Sequence, residues 1–224
     1  MFKAIIIGST GATGKQLLSK LIDNENCELV TSIGRKPALN NQKNKKVRDV
    51  VLSSLSDLES TEKYWTGNDV FFNCIGTTRA IAGNAENFVD VEVGISNEAA
   101  KMAHRAKVPH VSLISAKGAN ANIWAKHWIY PLFYIKTIGQ KEQSVLSKFS
   151  FKNISIFKPG MLLRLQKKQT WIENVSESRG AGLRVDTLAL AMINDAEKCK
   201  SSAGKGTTKF FIGNDNIKKS IHNI

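Results

Sequence analysis

The sequence predicts an α/β fold with a doubly wound parallel sheet, formed by a single domain over residues 1–224. Short β-branched segments alternate with helical patterns, and no internal repeat or linker divides the chain. Strands that alternate with helices imply parallel pairing through right-handed crossovers. A chain of 224 residues can also bury one large hydrophobic core.

The predicted elements begin with a strand, a turn and a helix. Residues 4–8 form a β-branched run, and residues 15–22 place Leu17, Leu18 and Leu21 on one helical face. Apolar or β-branched runs predict further strands at 29–33, 47–52, 70–75, 111–114, 154–157 and 209–212. Helical patterns predict further helices at 86–106 and 185–196.

The composition excludes several classes of protein. With 42% hydrophobic residues, 23% charged residues and only 4 prolines, the chain is neither disordered nor collagen-like. No stretch approaches the roughly 18 apolar residues of a membrane span, so we expect no transmembrane segment. The 3 cysteines lack CxxC spacing and the 4 histidines lack ligand spacing, so we predict neither a disulfide framework nor a metal site.

Positive charge is concentrated in the second half of the chain. Residues 101–224 hold 21 Lys and Arg against 7 Asp and Glu, whereas the first 100 residues are nearly balanced. Such asymmetry favours a polyanionic neighbour, which could be RNA, an anionic membrane surface or an acidic protein. The alternative is an ordinary soluble protein from a lysine-rich proteome.

A glycine-rich turn follows the first predicted strand directly and opens the first helix. Glycines at every third position let the backbone turn tightly, approach a pyrophosphate and pack the helix against the sheet. The residues predicted to contact a dinucleotide here are Gly8, Thr10, Gly11, Ala12, Thr13 and Gly14. The alternative is a glycine-rich turn without a ligand.

The end of the second predicted strand indicates which dinucleotide is preferred. An acidic residue there would bind the ribose 2′-hydroxyl, and a basic residue would bind a 2′-phosphate. This chain has Arg35 and Lys36 and no acid, so NADP(H) is favoured over NAD(H). The alternative is a solvated arginine in a loop.

Six sequence blocks together resemble a known family. They are Gly8 to Gly14, Gly34-Arg35-Lys36, Asn73-Cys-Ile-Gly-Thr-Thr-Arg79, Leu113-Ile-Ser-Ala-Lys-Gly-Ala119, Phe133-Tyr134 and Phe157-Lys-Pro-Gly-Met-Leu162. Their order resembles the atypical short-chain dehydrogenase/reductase superfamily and, more closely, the Tat-interacting oxidoreductase family, which includes a small fungal mitochondrial protein. The resemblance implies a Rossmann sheet in which Gly76, Thr77 and Pro159 lie along the bound NADP(H).

The resemblance also implies catalytic residues, and here the chain departs from the pattern. Tyr134 would donate a proton and Ser115 would polarise a carbonyl, but Ile138 stands where a lysine is expected four residues after the tyrosine. Lys136 does not replace that lysine, because a two-residue step turns about 200° around a helix. We therefore expect Tyr134 to titrate like an ordinary phenol.

Two further departures lie near the predicted cleft. Ala116 replaces the second of two serines that the family commonly carries, and Val51 stands where an acid near the adenine is expected, with Asp49 two residues earlier. Residues 122–133, the aromatic insertion, are longer and more aromatic than the resemblance leads us to expect. The aromatic residues there, interleaved with Lys126 and His127, are Trp124, Trp128, Tyr130 and Phe133. Such a segment suits an interface with protein or lipid headgroups, and the alternative is a lid over the substrate pocket.

Besides RNA binding through the basic second half of the chain, two functions remain open from the sequence. The first is an NADP(H)-binding subunit with a degraded catalytic site, with a structural or redox-sensing role in a larger, mitochondrial assembly. It would contact protein partners through the aromatic insertion and the basic second half. The second is a soluble, cytoplasmic NADPH-dependent reductase of a small carbonyl compound.

Overall fold

Seven parallel strands form one sheet in the computed structural model, which describes residues 1–39, 42–164, 182–202, 204 and 206–222, with only the backbone of His222. The strands of the structure are β1 (Phe2–Ile7), β2 (Cys27–Gly34), β3 (Val47–Val51), β4 (Val70–Asn73), β5 (His110–Ile114), β6 (Asn153–Lys158), β7 (Leu162–Leu163), β8 (Leu183–Arg184) and β9 (Thr208–Ile212). The sheet order is β3-β2-β1-β4-β5-β6-β9, and β7 pairs separately with β8.

Helices cover both faces of this sheet. They are α1 (Ala12–Asp23), α2 (Arg79–Ala82), α3 (Ala85–Val89), α4 (Ser96–Arg105), α5 (Tyr130–Lys148), α6 (Val185–Ser201) and α7 (Asn214–His222), with a 3₁₀ segment at Leu55–Tyr64. Among the described helices, none is both long enough and apolar enough to span a bilayer. The predicted fold class, a parallel sheet between two helical layers, is confirmed.

Alternate side chains of β1 enter two separate cores. Ala4 and Ile6 pack in the core that contains α1 and α6, whereas Ile5 and Ile7 pack in the core that contains α4. All four side chains are fully buried. A strand buried on both faces reads as a continuous apolar run, which is why this segment shows no polar alternation.

The helix predicted over residues 86–106 has a mixed geometry in the structure. It consists of α3, a π-helical turn at Asp90–Ile95, and α4. Glu92 lies in this wider turn and is buried. π-helical turns are rare and frequently occur at functional sites. The predicted helical stretch is therefore confirmed, and the structure adds a π-helical turn at its centre.

The strand order reverses between β1 and β4. From this point β2 and β3 extend to one side, and β4, β5 and β6 extend to the other. Sheets of this kind bind ligands in the crevice beyond the carboxyl ends of the strands at such a reversal. The loop after β5 is joined there to the loop after β6, because the Lys117 N–H donates to the Pro159 carbonyl at 2.7 Å.

Candidate cofactor cleft

The glycine-rich turn after β1 is built so closely that two of its glycines admit no side chain. Gly8 has a φ of +88°, and a Cβ there would lie 2.4 Å from the carbonyl oxygen of Cys74. A Cβ on Gly14 would lie 2.1 Å from the carbonyl oxygen of Gly8. Both glycines are therefore required by the packing of the turn against β4 and α1, whether or not a ligand is bound.

The first turn of α1 is open to an anion. Gly11 precedes the helix, no side chain caps the first turn, and that turn contains no acidic residue. The free N–H groups at a helix N-terminus and the positive end of its dipole bind phosphate groups. The residues present therefore fit the pyrophosphate of a dinucleotide.

A cavity of about 340 Å³ lies above this turn, at the carboxyl ends of the central strands. The predicted site residues that line it are Thr10, Gly11, Ala12, Thr13, Gly76, Thr77, Ser115, Tyr134 and Ile138. Gly8 and Gly14 do not line the cavity, but their close backbone contacts shape the turn beneath it. Arg35, Lys36 and Pro159 are also not among the residues that line the cavity. The fold thus brings most of the predicted cofactor and catalytic residues to one place.

Arg35 and Lys36 directly follow β2. They therefore lie at the carboxyl ends of the strands, where the glycine-rich turn after β1 also lies. Both are exposed, and neither has a hydrogen-bond or ion-pair partner within the part of the chain that the structure describes. Nearby, Asp49 accepts a hydrogen bond from the Ala38 N–H at 2.7 Å, so its carboxylate holds the segment after Lys36. Val51, where the family pattern has an acid, is about half exposed.

Tyr134 and Ile138 lie one turn apart on α5 and both line the cavity. Ile138 is only 3% exposed, so an apolar side chain fills the position of the expected lysine. The pKa of Tyr134 is raised to about 12, first by burial and then by the negative charge of Glu92. The expectation that Tyr134 titrates like an ordinary phenol was therefore wrong, because Tyr134 is more strongly held in its protonated form.

Lys141, a buried lysine that the family pattern does not single out, also lines the cavity. Lys141 lies seven residues after Tyr134, and a seven-residue step is about 700°, so two turns return to the same helical face. Its ammonium donates to the carbonyl oxygen of Ile75 at 2.6 Å and to Glu92 Oε2 at 3.2 Å. The spacing was visible in the sequence, but Glu92, its buried partner, is on another helix and was not.

Glu92 connects this lysine to the loop that follows β4. Its Oε1 accepts a hydrogen bond from the Thr77 N–H at 2.7 Å, while its Oε2 accepts one from Lys141. The buried pair is neutral overall and therefore supplies no net positive charge to Tyr134. Lys141 thus does not replace the missing lysine, and Glu92 opposes the ionisation of the phenol.

The hydroxyl of Ser115 is engaged by the protein itself. It donates to Glu142, and Glu142 Oε2 forms an ion pair with Lys158 Nζ at 2.8 Å. A serine hydroxyl has one proton to donate, so a proton held by Glu142 is not offered to a substrate carbonyl. Cys74 also lines the cavity, and burial raises the pKa of its thiol to about 12, which favours the protonated thiol over the nucleophilic thiolate.

The aromatic insertion divides into two parts. Tyr130 and Phe133 pack around the buried ring of Phe88, with centroid distances of 6.0 Å in both cases. Trp124 and Trp128 are instead 65% and 64% exposed. The Lys126 ammonium lies 5.9 Å and 6.0 Å from their ring centroids. One part therefore forms the wall beside Tyr134, and the other part is a surface feature.

Comparison with known proteins agrees with this geometry. A family model described as NAD(P)H-binding matches residues 8–194. The chain belongs to this NAD(P)H-binding family. A relative in the family, "Protein FMP52, mitochondrial" from Debaryomyces hansenii, is 35% identical over 172 residues, which cover 76% of this chain and 71% of that protein. The HTATIP2 protein of Rattus norvegicus is 29% identical and covers 85% of this chain and 79% of its own length.

Solved structures show the same fold as this member of the NAD(P)H-binding family. The UDP-glucuronic acid 4-epimerase from Bacillus cereus, in complex with NAD, has a TM-score of 0.68 at 12% identity, and the match covers 99% of this chain and 91% of that one. The predicted Rossmann-like fold and the predicted resemblance to the Tat-interacting family are confirmed. The chain is an NAD(P)-binding protein with an oxidoreductase-like fold.

Proposed function

We propose that this protein binds NADP(H) through an intact cofactor cleft but no longer uses the cofactor in rapid catalysis, and that it is a structural or redox-sensing subunit of a larger mitochondrial assembly. The observation that carries the proposal is the side chain of Ile138, which is buried one turn from Tyr134 where a lysine would act. The cofactor half of the cleft, in contrast, keeps its free helix N-terminus.

The preference for NADP(H) rests on Arg35 and Lys36. Both cations are exposed at the end of β2, and the nearby carboxylate of Asp49 is engaged by a backbone N–H. Arg can bind a 2′-phosphate with two hydrogen bonds, and Lys adds a point charge. NAD(H) would leave both cations without a phosphate to bind.

The loss of rapid catalysis rests on two of the three positions that would act on a carbonyl, Ile138 and Ser115, while the third, Tyr134, keeps its proton. Ile138 supplies no charge, Tyr134 is held protonated by burial and Glu92, and Ser115 donates to Glu142. A bound NADPH would supply a hydride to a carbonyl carbon. The protein would then have to polarise the carbonyl oxygen and deliver a proton to it, and two of the three groups do not support that task.

The mitochondrial location and the assembly rest on separate observations. Relatives with 35% and 30% identity, from Debaryomyces hansenii and Candida albicans, carry the name "Protein FMP52, mitochondrial". The exposed Trp124 and Trp128 and the basic second half of the chain would provide surfaces for protein partners. An anionic membrane surface and RNA are the alternative partners of the same cations.

A binding titration of the purified protein tests the cofactor proposal, with nicotinamide fluorescence as the readout. We expect NADPH to bind at least about tenfold more tightly than NADH, and Arg35→Gln to remove most of that difference, because a charge-assisted pair is lost. Arg48→Gln is the matched control, since Arg48 is an exposed arginine on β3 beside the Tyr64 ring. Equal affinity for NADH and NADPH would contradict the proposal.

Sedimentation of a gently solubilised mitochondrial extract tests the assembly, with an antibody against the protein as the readout. We expect the protein in a fraction much heavier than one or two chains. Migration as a monomer or dimer would contradict a subunit role.

RNA binding by the purified protein, measured at several salt concentrations, tests the alternative partner. A steep loss of RNA affinity with added salt would support RNA as the partner.

The second candidate function is an NADPH-dependent reductase of a small carbonyl compound. It is favoured by one observation, that Tyr134 lines the cavity and remains protonated at neutral pH, so it can still donate a proton to a carbonyl oxygen. This candidate predicts NADPH oxidation in the presence of small aldehydes or ketones that falls at least about tenfold in Tyr134→Phe. No oxidation above the buffer rate would contradict it.

A further inference from the structure

A cluster of side chains that could bind a metal ion lies at the amino-terminal ends of the strands, whereas the cofactor cleft lies at their carboxyl ends. His110 is the first residue of β5, and Asp195 and Cys199 lie one turn apart on α6. All three side chains are buried, and one potential ligand atom from each lies within 4.8 Å of the other two. The sequence spacing indicates no metal site, because His110 is far from the other two residues along the chain.

The separations within this cluster are close to those of a tetrahedral metal site. His110 Nε2 lies 3.6 Å from Asp195 Oδ2, and Cys199 Sγ lies 3.9 Å from the same oxygen. Zinc bonds of about 2.0 Å to nitrogen or oxygen and about 2.3 Å to sulfur place neighbouring ligand atoms roughly 3.3–3.8 Å apart. Small side-chain rotations would therefore bring the three atoms to bonding distance from one ion.

The imidazole of His110 is not fully used by the hydrogen bonds of the core. Nε2 lies 3.0 Å from the Ser155 hydroxyl, which itself donates to Asp195 Oδ2 at 2.5 Å. Nδ1 has no hydrogen-bond partner among the described residues. Buried polar atoms in proteins are nearly always paired. Nε2, the nitrogen that faces Asp195, would exchange its contact with Ser155 for the metal, and the unpaired Nδ1 is free to carry the ring proton in that state.

A cation already occupies the position next to these ligands. Lys209 Nζ donates to Asp195 Oδ1 at 2.9 Å and to Cys199 Sγ at 3.5 Å. Its side chain is 37% exposed, so the ammonium can leave for solvent without loss of hydration. The cluster therefore attracts positive charge at a place where the present cation is exchangeable.

The ligand set indicates which cation would bind. Thiolate, imidazole and carboxylate together suit Zn²⁺, whereas Mg²⁺ and Ca²⁺ prefer oxygen ligands alone. A cavity of about 200 Å³ adjoins the cluster and is lined by His110 and Cys199, which gives an entry path and room for a water ligand. Binding would release the thiol proton of Cys199 to solvent as the Zn–S bond forms. The Nε2 proton of His110, which is donated to Ser155 without metal, would leave Nε2, and the unpaired Nδ1 would carry the ring proton.

We propose that His110, Asp195 and Cys199 form a Zn²⁺ site with three protein ligands and one open position, and that the Lys209 ammonium closes this site when the metal is absent. The site is separate from the cofactor cleft, because it lies at the amino-terminal ends of the strands and the cleft lies at their carboxyl ends. A three-ligand site with an open position has the composition of exchangeable or catalytic zinc sites, whereas closed structural sites use four protein ligands.

Titration of the untagged full-length protein with Co²⁺ tests the site, because Co²⁺ reports thiolate ligation through a charge-transfer band. We expect one saturable equivalent with this band, displaced by Zn²⁺. Cys199→Ser should remove the band, and Cys27→Ser, which changes another buried thiol away from the cluster, should keep it. A band that persists in Cys199→Ser, or no band in the wild type, would overturn the proposal.

Lys209→Met provides a test that does not depend on the folding of a ligand variant. Because a competing ammonium is removed, we expect the Co²⁺ affinity to rise by about fivefold. Zn²⁺ should also raise the Tm of the wild type and of Lys209→Met, but not that of Cys199→Ser. An unchanged or weaker affinity in Lys209→Met would overturn the role of Lys209, and an equal Tm increase in Cys199→Ser would overturn the site.

Discussion

Tyr134 and Lys141 line the same cavity from one face of α5, but the Lys141 ammonium is bonded to the carbonyl oxygen of Ile75 and to the buried carboxylate of Glu92. A lysine is thus present beside the candidate catalytic tyrosine, two turns from it, and its charge is neutralised. Glu92 acts on both residues, since it pairs with Lys141 and raises the pKa of Tyr134. The electrostatics of the cleft therefore favour a neutral phenol.

The raised pKa of Tyr134 makes stability fall at high pH. The unfolded phenol ionises near its ordinary value of 10.0, whereas the folded phenol ionises at about 12. Between these values the unfolded state loses its proton first. We therefore expect the free energy of unfolding to fall by up to about 3 kcal/mol as pH rises from 10 to 12. Chemical denaturation at pH 8 and pH 11 measures about half of this loss, about 1.4 kcal/mol, because pH 11 lies midway between the two pKa values. Tyr134→Phe should remove that part of the pH dependence.

Ile138→Lys should partly restore the missing charge. A lysine ammonium about 4 Å from the phenol contributes up to about 4 kcal/mol at an effective dielectric of about 20, or about three pKa units. We therefore expect the pKa of Tyr134 to fall, as measured by ultraviolet titration of tyrosinate. Ile138→Met is the control of similar volume and should leave it unchanged. We expect little gain in carbonyl reduction, because Ser115 still donates to Glu142.

Removal of one partner of the Lys141–Glu92 pair should strongly destabilise the fold. Both side chains are almost fully buried, so Lys141→Met leaves an unpaired carboxylate, with an expected loss of about 3–5 kcal/mol in the free energy of unfolding. Adding Glu92→Gln should recover a large part of that loss. Lys3→Met is the control, because the Lys3–Glu28 pair is exposed and should matter far less. Equal losses of unfolding free energy in Lys141→Met and Lys3→Met would contradict a special role for the buried Lys141–Glu92 pair in stability.

Gly14→Ala should disrupt the cofactor cleft. The added Cβ would lie 2.1 Å from the Gly8 carbonyl oxygen, so the turn or α1 must move. We expect loss of NADPH binding and a Tm lowered by several degrees. Gly34→Ala is the control for stability, since its nearest contact would be an ordinary 3.6 Å from the Lys36 carbonyl oxygen. A Gly14→Ala variant that binds NADPH like the wild type would contradict the proposed approach of the pyrophosphate.

The fold and the nucleotide turn were predictable because both depend on patterns within short stretches of chain. Continuous apolar runs such as residues 70–75 marked strands buried on both faces, and the spacing of Gly8, Gly11 and Gly14 marked the turn between β1 and α1. The absence of a lysine at Ile138 was likewise visible from helical spacing alone. Each of these features depends on neighbours a few residues apart.

Only the tertiary structure decided which polar groups meet. Glu92 and Lys141 are 49 residues apart along the chain, and Ser115 and Glu142 are 27 apart, yet each pair is buried in direct contact. His110 joins Asp195 and Cys199 only because β5 and α6 pack against each other. Sequence patterns report local periodicity and backbone requirements, whereas buried charges are satisfied by whichever partners the packing of distant elements brings near. The cofactor turn was therefore determined by the sequence itself, and the electrostatic state of the cleft was determined by the packed fold.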